Sequence, residues 1–158
     1  MSFKKTITAV VAFAVTAAIF CVLASCGAKD KLTVYNSETG KVYATFSVTE
    51  GSEFAVEFIH SVNKSPIKDV FVVRNGEICL DRSIYTAFGA GVQTEVEAGQ
   101  TLEYDEDGNM VISGYNMRFP ALKYIVGTVY DHILYIEEES ISLTELCGKN
   151  SHIAFELR

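Results

Sequence analysis

Basic residues are scarce in this sequence. Thirteen Lys and Arg face twenty Asp and Glu over 158 residues, a formal charge of −7. Nucleic acid and anionic membrane surfaces are bound through clustered cations, so this balance argues against both as partners. Helical periodicity is also missing, since no stretch after the first thirty residues sustains it over three turns. A helical bundle is thereby excluded. Cysteine is sparse, with Cys21 and Cys26 in the leading segment and only Cys79 and Cys147 beyond it. One pair in a domain of this size is no disulfide scaffold, and the spacing leaves a Cys79–Cys147 bridge open. The sequence contains no Gly-Lys-Ser/Thr phosphate loop, no His-x-His or Cys-x-x-Cys ligand pair and no Gly-x-Ser-x-Gly elbow. Those absences weigh against nucleotide, metal and serine-hydrolase chemistry respectively, and no cofactor is expected.

What is present starts at the N-terminus. Lys4 and Lys5 precede an uncharged apolar run from Ile7 to Val22, which leads into Leu23-Ala24-Ser25-Cys26-Gly27. Charge, apolar run and small residues are the parts of a secretory signal. A Leu three positions before a Cys resembles the bacterial lipoprotein cleavage motif, in which the Cys is acylated. The alternative is an uncleaved anchor, because the run is nearly long enough to span a bilayer. The expected organisation is a signal over 1–25, a tether over 26–30 lipidated at Cys26, and one domain over 31–158. After cleavage eleven basic residues face twenty acidic ones, a formal charge of −9. Five tether residues reach roughly 15 Å at full extension, which would hold the domain near the outer face of the cytoplasmic membrane.

From Lys31 onward, short alternating runs are punctuated by turn residues. Leu32–Asn36 and Val42–Val48 flank Ser37-Glu38-Thr39-Gly40, and Phe54–His60 and Ile67–Arg74 flank a Ser-Val-Asn-Lys-Ser-Pro loop. Asn75-Gly76, the strongest two-residue hairpin signal, leads into Glu77–Leu80, with a further run at Ile84–Phe88. Thr101–Tyr104 and Met110–Ser113 bracket Asp107-Gly108, and Ile133–Glu137, Ile141–Thr144 and Ile153–Leu157 complete the set. Many short strands with frequent turns predict a single all-β antiparallel sandwich or barrel-like domain.

Candidate chemistry centres on the second hairpin. Phe54, Val56 and Phe58 share a face, and the next residue in that register is His60. If Ser61–Pro66 is the loop, Phe58 pairs with Asp69 and His60 becomes its diagonal neighbour on the apolar side. A carboxylate beside an imidazole suits a general base or a metal ligand, or simply closes the core as a self-satisfied polar pair. His132 shares a face with Tyr130, Leu134 and Ile136, so a second imidazole stands in an apolar register. His60 and His132 are weak metal candidates without a third ligand. His152 alternates against Ile153, Phe155 and Leu157 and is expected to face water. The glycine corner Phe88-Gly89-Ala90-Gly91-Val92 suits a tight turn. The acidic run Glu103–Asp107 puts its glycine at the wrong position for an EF-hand and reads as a solvated hairpin tip.

Together, Phe54-x-Val-x-Phe-Ile-His-Ser-Val-x-Lys-Ser-Pro-Ile-x-Asp69, then Phe88-Gly-Ala-Gly-Val92, then His132-Ile-Leu134 resemble a known family. It is the domain-of-unknown-function family numbered eighteen-fifty, and the likeness runs from Leu32 to about Leu143. Its members are small exported or membrane-anchored bacterial proteins whose genes accompany TRAP-type transporters of the TAXI class. The resemblance touches His60, Ser61, Pro66, Asp69, Gly89, Gly91 and His132, and Lys64 stands in the same segment. Asp69 replaces a more usual Glu, and Val92-Gln93 stands where Leu-Pro is usual. The family has no established activity. The resemblance implies a non-enzymatic, extracytoplasmic accessory that contacts a transporter's membrane subunit or solute-binding protein. A small-ligand or metal-binding envelope protein is the alternative reading, and a hydrolase the third.

Overall fold

The structure, a computed structural model, describes residues 30–87 and 95–158. Cys26, Gly89 and Gly91 lie outside the described residues. Among the described residues, twelve strands form two antiparallel sheets. The smaller carries β1 (Asp30–Asn36), β2 (Val42–Val48), β9 (Leu122–Ile125) and β12 (His152–Leu157), in the order β2-β1-β12-β9. The larger carries β3 (Glu53–Ile59), β4 (Pro66–Arg74), β5 (Glu77–Tyr85), β6 (Thr101–Tyr104), β7 (Met110–Ser113), β10 (His132–Ile136) and β11 (Glu139–Ser142). Its order is β11-β10-β3-β4-β5-β7-β6, and the two-residue β8 (Arg118–Phe119) pairs with β5. This is the all-β sandwich that the alternation predicts.

The core forms where the inner faces meet. Leu32, Val34, Ile153 and Phe155 come from the small sheet, and Phe54, Val56, Phe71, Val73, Leu134 and Ile136 from the large one. Phe54 joins the layers, stacking on Phe71 at 5.3 Å and on Phe155 at 5.8 Å. Full burial of such a side chain contributes about 2 kcal/mol, so the period-2 register is strongly selected. Asn75 and Gly76 take φ values of 53° and 71°, which a type I′ hairpin requires.

Three local features depart from the sequence reading, and the open question of the cysteines is answered. β5 is one strand where the pattern predicts two. Val70 pairs with Arg82 but Phe71 with Leu80, so Asp81 is bulged out and its carboxylate bridges Arg74 and Arg82. β9 is absent from the expected set, although Leu122-Lys123-Tyr124-Ile125 alternates. The expected strand end at Ser142–Thr144 instead turns into α1 (Leu143–Cys147), capped by Ser142, whose Oγ accepts from the Glu145 N–H. Ser142-x-x-Glu145 is a capping-box signature. Cys79 and Cys147 are free; one lies in β5 and the other ends α1.

The acidic hairpin tip needs no ion for its shape. The Asp105 carboxylate accepts from the backbone of Asp107 and Asn109 and from the Asn109 amide. Those hydrogen bonds, led by the Asn109 side chain, hold its carboxyl below the usual range. His152 is half-exposed and lies 3.6 Å from Glu38.

Candidate functional site

The β3–β4 hairpin closes two residues tighter than its sequence suggests. Phe58 pairs with Ile67 and Val56 with Asp69, and the His60 N–H donates to the Ser65 carbonyl at 2.9 Å. The loop is therefore Ser61–Lys64, with the Lys64 N–H donating to the His60 carbonyl and Lys64 in a left-handed conformation, φ 57°. Pro66, expected in the loop, opens β4 instead. A strand's first position tolerates proline, and the β3 side bonds through the flanking His60–Ser65 pair. The shift is even, so parity survives and Asp69 still faces inward. It moves Asp69 four residues along the ladder from His60, about 13 Å. The expected His60–Asp69 pair does not form.

Each partner has another occupation. His60 Nδ1 accepts weakly from the Val62 and Asn63 N–H groups at 3.4 Å, so the imidazole caps its own turn. Asp69 Oδ1 accepts from the Ser83 hydroxyl at 2.6 Å, across β4 and β5. Burial pushes the Asp69 carboxyl up from its usual range, and the Ser83 bond only partly offsets this. Tyr85 is raised to about 12, by burial first, with Tyr115 and the Asp69 charge adding. Tyr124 is raised the same way, by burial and then Asp69. A carboxyl and two phenols thus face the sandwich interior as one poorly solvated group.

His132 is built into a different place. It opens β10 opposite Phe58, stacks on that ring at 5.6 Å and meets Tyr124 edge-on at 6.0 Å. Its Nδ1 accepts from the Gly127 N–H at 3.1 Å, so a neutral ring carries its proton on Nε2. Burial lowers its pKa, the Asp131 charge opposing. Gly127 has no room for a side chain, since a Cβ there would lie 1.9 Å from the Tyr130 carbonyl oxygen. Asp131 accepts from its neighbour's backbone N–H, from the Thr144 N–H and from the Ser142 hydroxyl. Burial opposes its charge, but those hydrogen bonds outweigh it and keep the carboxyl low.

Between the two loops lies an open cleft of about 280 Å³. Ile59, Ser61 and Lys64 form one side, and residues 127–130 with His132 form the other. The Lys64 ammonium sits 5.8 Å over the Tyr130 ring. Val62, Val129 and Tyr130 are 63%, 78% and 43% exposed at this end. Of the residues singled out in the sequence, Ser61, Lys64 and His132 come together here. His60 supports the loop without lining the cleft, and Pro66 and Asp69 belong to β4. Among the described residues no group of three or more His, Cys, Asp or Glu is placed to hold a metal ion. Sequence reasoning misses Gly127 and Tyr130, whose signal is the Gly-Thr-Val-Tyr turn before His132. It also misses Ser83 and Tyr124, which only strand pairing brings near Asp69.

Fold and site together define a small β-sandwich domain with a cleft at one end. Residues 54–143, more than half the chain, match the family described as Domain of unknown function (DUF1850), and the chain belongs to that family. The match begins at Phe54 rather than at Leu32, so β1, β2 and β12 lie outside it while every cleft residue lies within. No curated protein and no solved structure matches the chain.

Proposed function

We propose that this protein is a non-catalytic, extracytoplasmic binding module, lipid-anchored through Cys26, that serves a TRAP-type solute transporter by engaging its membrane subunit or solute-binding protein. The observation that carries the reading is the position of its exposed apolar loops. Asp30 enters at the end of the sandwich shared with Val48 and Glu53. Val62, Val129 and Tyr130 stand at the other end, beyond Ile59 and His132. Seven strand residues separate the ends, about 20 Å. A chain held by its N-terminus would present this end away from the anchor, where a partner can dock. Large exposed side chains beside a pocket are a common mark of interaction surfaces. Non-catalytic use is supported by the carboxylates. Asp131, next to His132, is committed to hydroxyl and backbone donors, and Asp69 to Ser83.

A photo-crosslinking residue at Val129, introduced into the full chain in its native membrane, tests the reading. Recovery of a transporter subunit or its solute-binding protein is the expected result. Recovery of neither, with the transporter intact in the same membranes, overturns it. Cys26→Ser should move the protein out of the membrane fraction.

A further inference from the structure

We propose that the cleft between the Ser61–Lys64 loop and residues 127–132 binds the carboxylate of a small monocarboxylic acid, its short apolar body lying along Ile59, Val129 and the Tyr130 ring. This ligand chemistry deepens the binding-module reading and rests on it.

Charge points to an anion first. The chain carries twenty carboxylates and a net charge of −7, yet the cleft is lined by one cation, Lys64, and by no Asp or Glu. The carboxylate adjoining it in sequence, Asp131, accepts hydrogen bonds from Ser142, Thr144 and His132. Its charge is already spread over those donors.

Donor chemistry points the same way. Lys has donors only, and a hydroxyl such as that of Ser61 donates readily. His132 gives up its acceptor nitrogen to the Gly127 N–H, so Nε2–H is the function it has left. Three donors of different reach therefore border one space, the arrangement an anionic oxygen pair accepts. An ammonium or guanidinium ligand would meet donors and a like charge.

Size and lining set the class. About 280 Å³ is at the lower end of ligand pockets. One ammonium balances one negative charge, so a monoanion fits better than phosphate. Ile59, Val129 and Tyr130 suit a body of a few methylenes or a ring.

The test is an NMR titration of the purified full chain in detergent, with sodium butyrate as probe and n-butylamine and inorganic phosphate as controls. Butyrate should shift the amide signals of Ser61, Lys64, Gly127 and Thr128 with a Kd on the order of 1 mM. Lys64→Gln should weaken it at least about tenfold, while butylamine leaves those signals in place. His132→Phe keeps a ring against Phe58 and Tyr124 but removes the donor, and should also weaken butyrate. If His132→Phe does not fold, the exposed Lys64→Gln decides alone. The proposal is overturned if butyrate shifts nothing by about 50 mM. It is equally overturned if butylamine or phosphate shifts the same amides as strongly, or if Lys64→Gln binds butyrate unchanged. The titration contains no transporter, so a failed crosslink from Val129 with butyrate binding intact sinks the partner and leaves the ligand standing.

Discussion

His132 and Asp69 both interrupt the apolar inner face of the large sheet, and they have opposite fates. His132 opens β10 where the sheets part, and Asp69 lies in β4, two strands away across β3. Both are partly buried and both have pKa values displaced by desolvation. His132 has a backbone donor held by a loop, and its ring borders a cleft. Asp69 has one hydroxyl from the next strand and the phenols of Tyr85 and Tyr124 nearby. The contrast shows that register parity alone does not make a site. What covers the residue decides whether the polar group borders an open cleft or is closed in between strands.

The largest expected effect breaks the His132 side of this comparison. Gly127→Ala puts a methyl group into the Tyr130 carbonyl and 3.2 Å from His132 Nδ1. Backbone cannot yield as a side-chain tip can, so about 2–3 kcal/mol of stability should be lost. Urea unfolding at pH 7 measures it, and a loss under about 0.5 kcal/mol would mean the loop is not held as described. Ser83→Ala strikes the other side. Ser83 is buried, and its replacement removes the hydroxyl that donates to the Asp69 carboxylate, which should cost about 1–2 kcal/mol. The same unfolding measurement should show that the cost shrinks at acidic pH, where Asp69 holds its proton.

The smallest effect sharpens the comparison most, because the two groups should give pH dependences of opposite sign. Folded Asp69 keeps its proton above the ordinary value of 3.8. The folded state therefore binds more protons than the unfolded one across that window, and stability falls as pH rises through it. Folded His132 titrates below 6.5, so on acidification the unfolded chain takes its proton first. Stability then falls as pH drops from about 6.5 towards the folded value. Asp69→Asn should remove the first slope and raise stability at neutral pH by on the order of 1 kcal/mol. His132→Phe should remove the second. Thermal midpoints from pH 4 to pH 8 test both, and slopes unchanged in either variant would contradict the assignment.

Much of this architecture is legible in the amino-acid sequence. The Asn75-Gly76 turn, the Phe54-Val56-Phe58 face and most strand positions follow from backbone chemistry and period-2 burial, both local properties. The Ser61–Lys64 loop is not legible in that way. A six-residue loop and a four-residue loop keep the same parity, so hydrophobic alternation cannot tell them apart. The choice rests on hydrogen bonds that exist only once the turn has closed: the His60 N–H donates to the Ser65 carbonyl, while the His60 and Asn63 side chains accept from the Asn63 and Ser65 N–H groups. The single strand β5 is hidden for a related reason. Asp81 and Arg82 read as a break because their ion-pair partners, Arg74 and Glu53, sit on other strands.

Sequence by itself determined an acidic all-β chain, its hairpin turns and the inward parity of His132 and Asp69, because burial and turn geometry act over a few residues. Tertiary structure alone decided that β10 lies beside β3, so that His132 faces Phe58 and shares a cleft with Ser61 and Lys64. It also decided that Asp69 finds Ser83 rather than His60. Those pairings join residues up to about eighty positions apart in the chain, and what selects them is the shared apolar core of two packed sheets, to which no local pattern points.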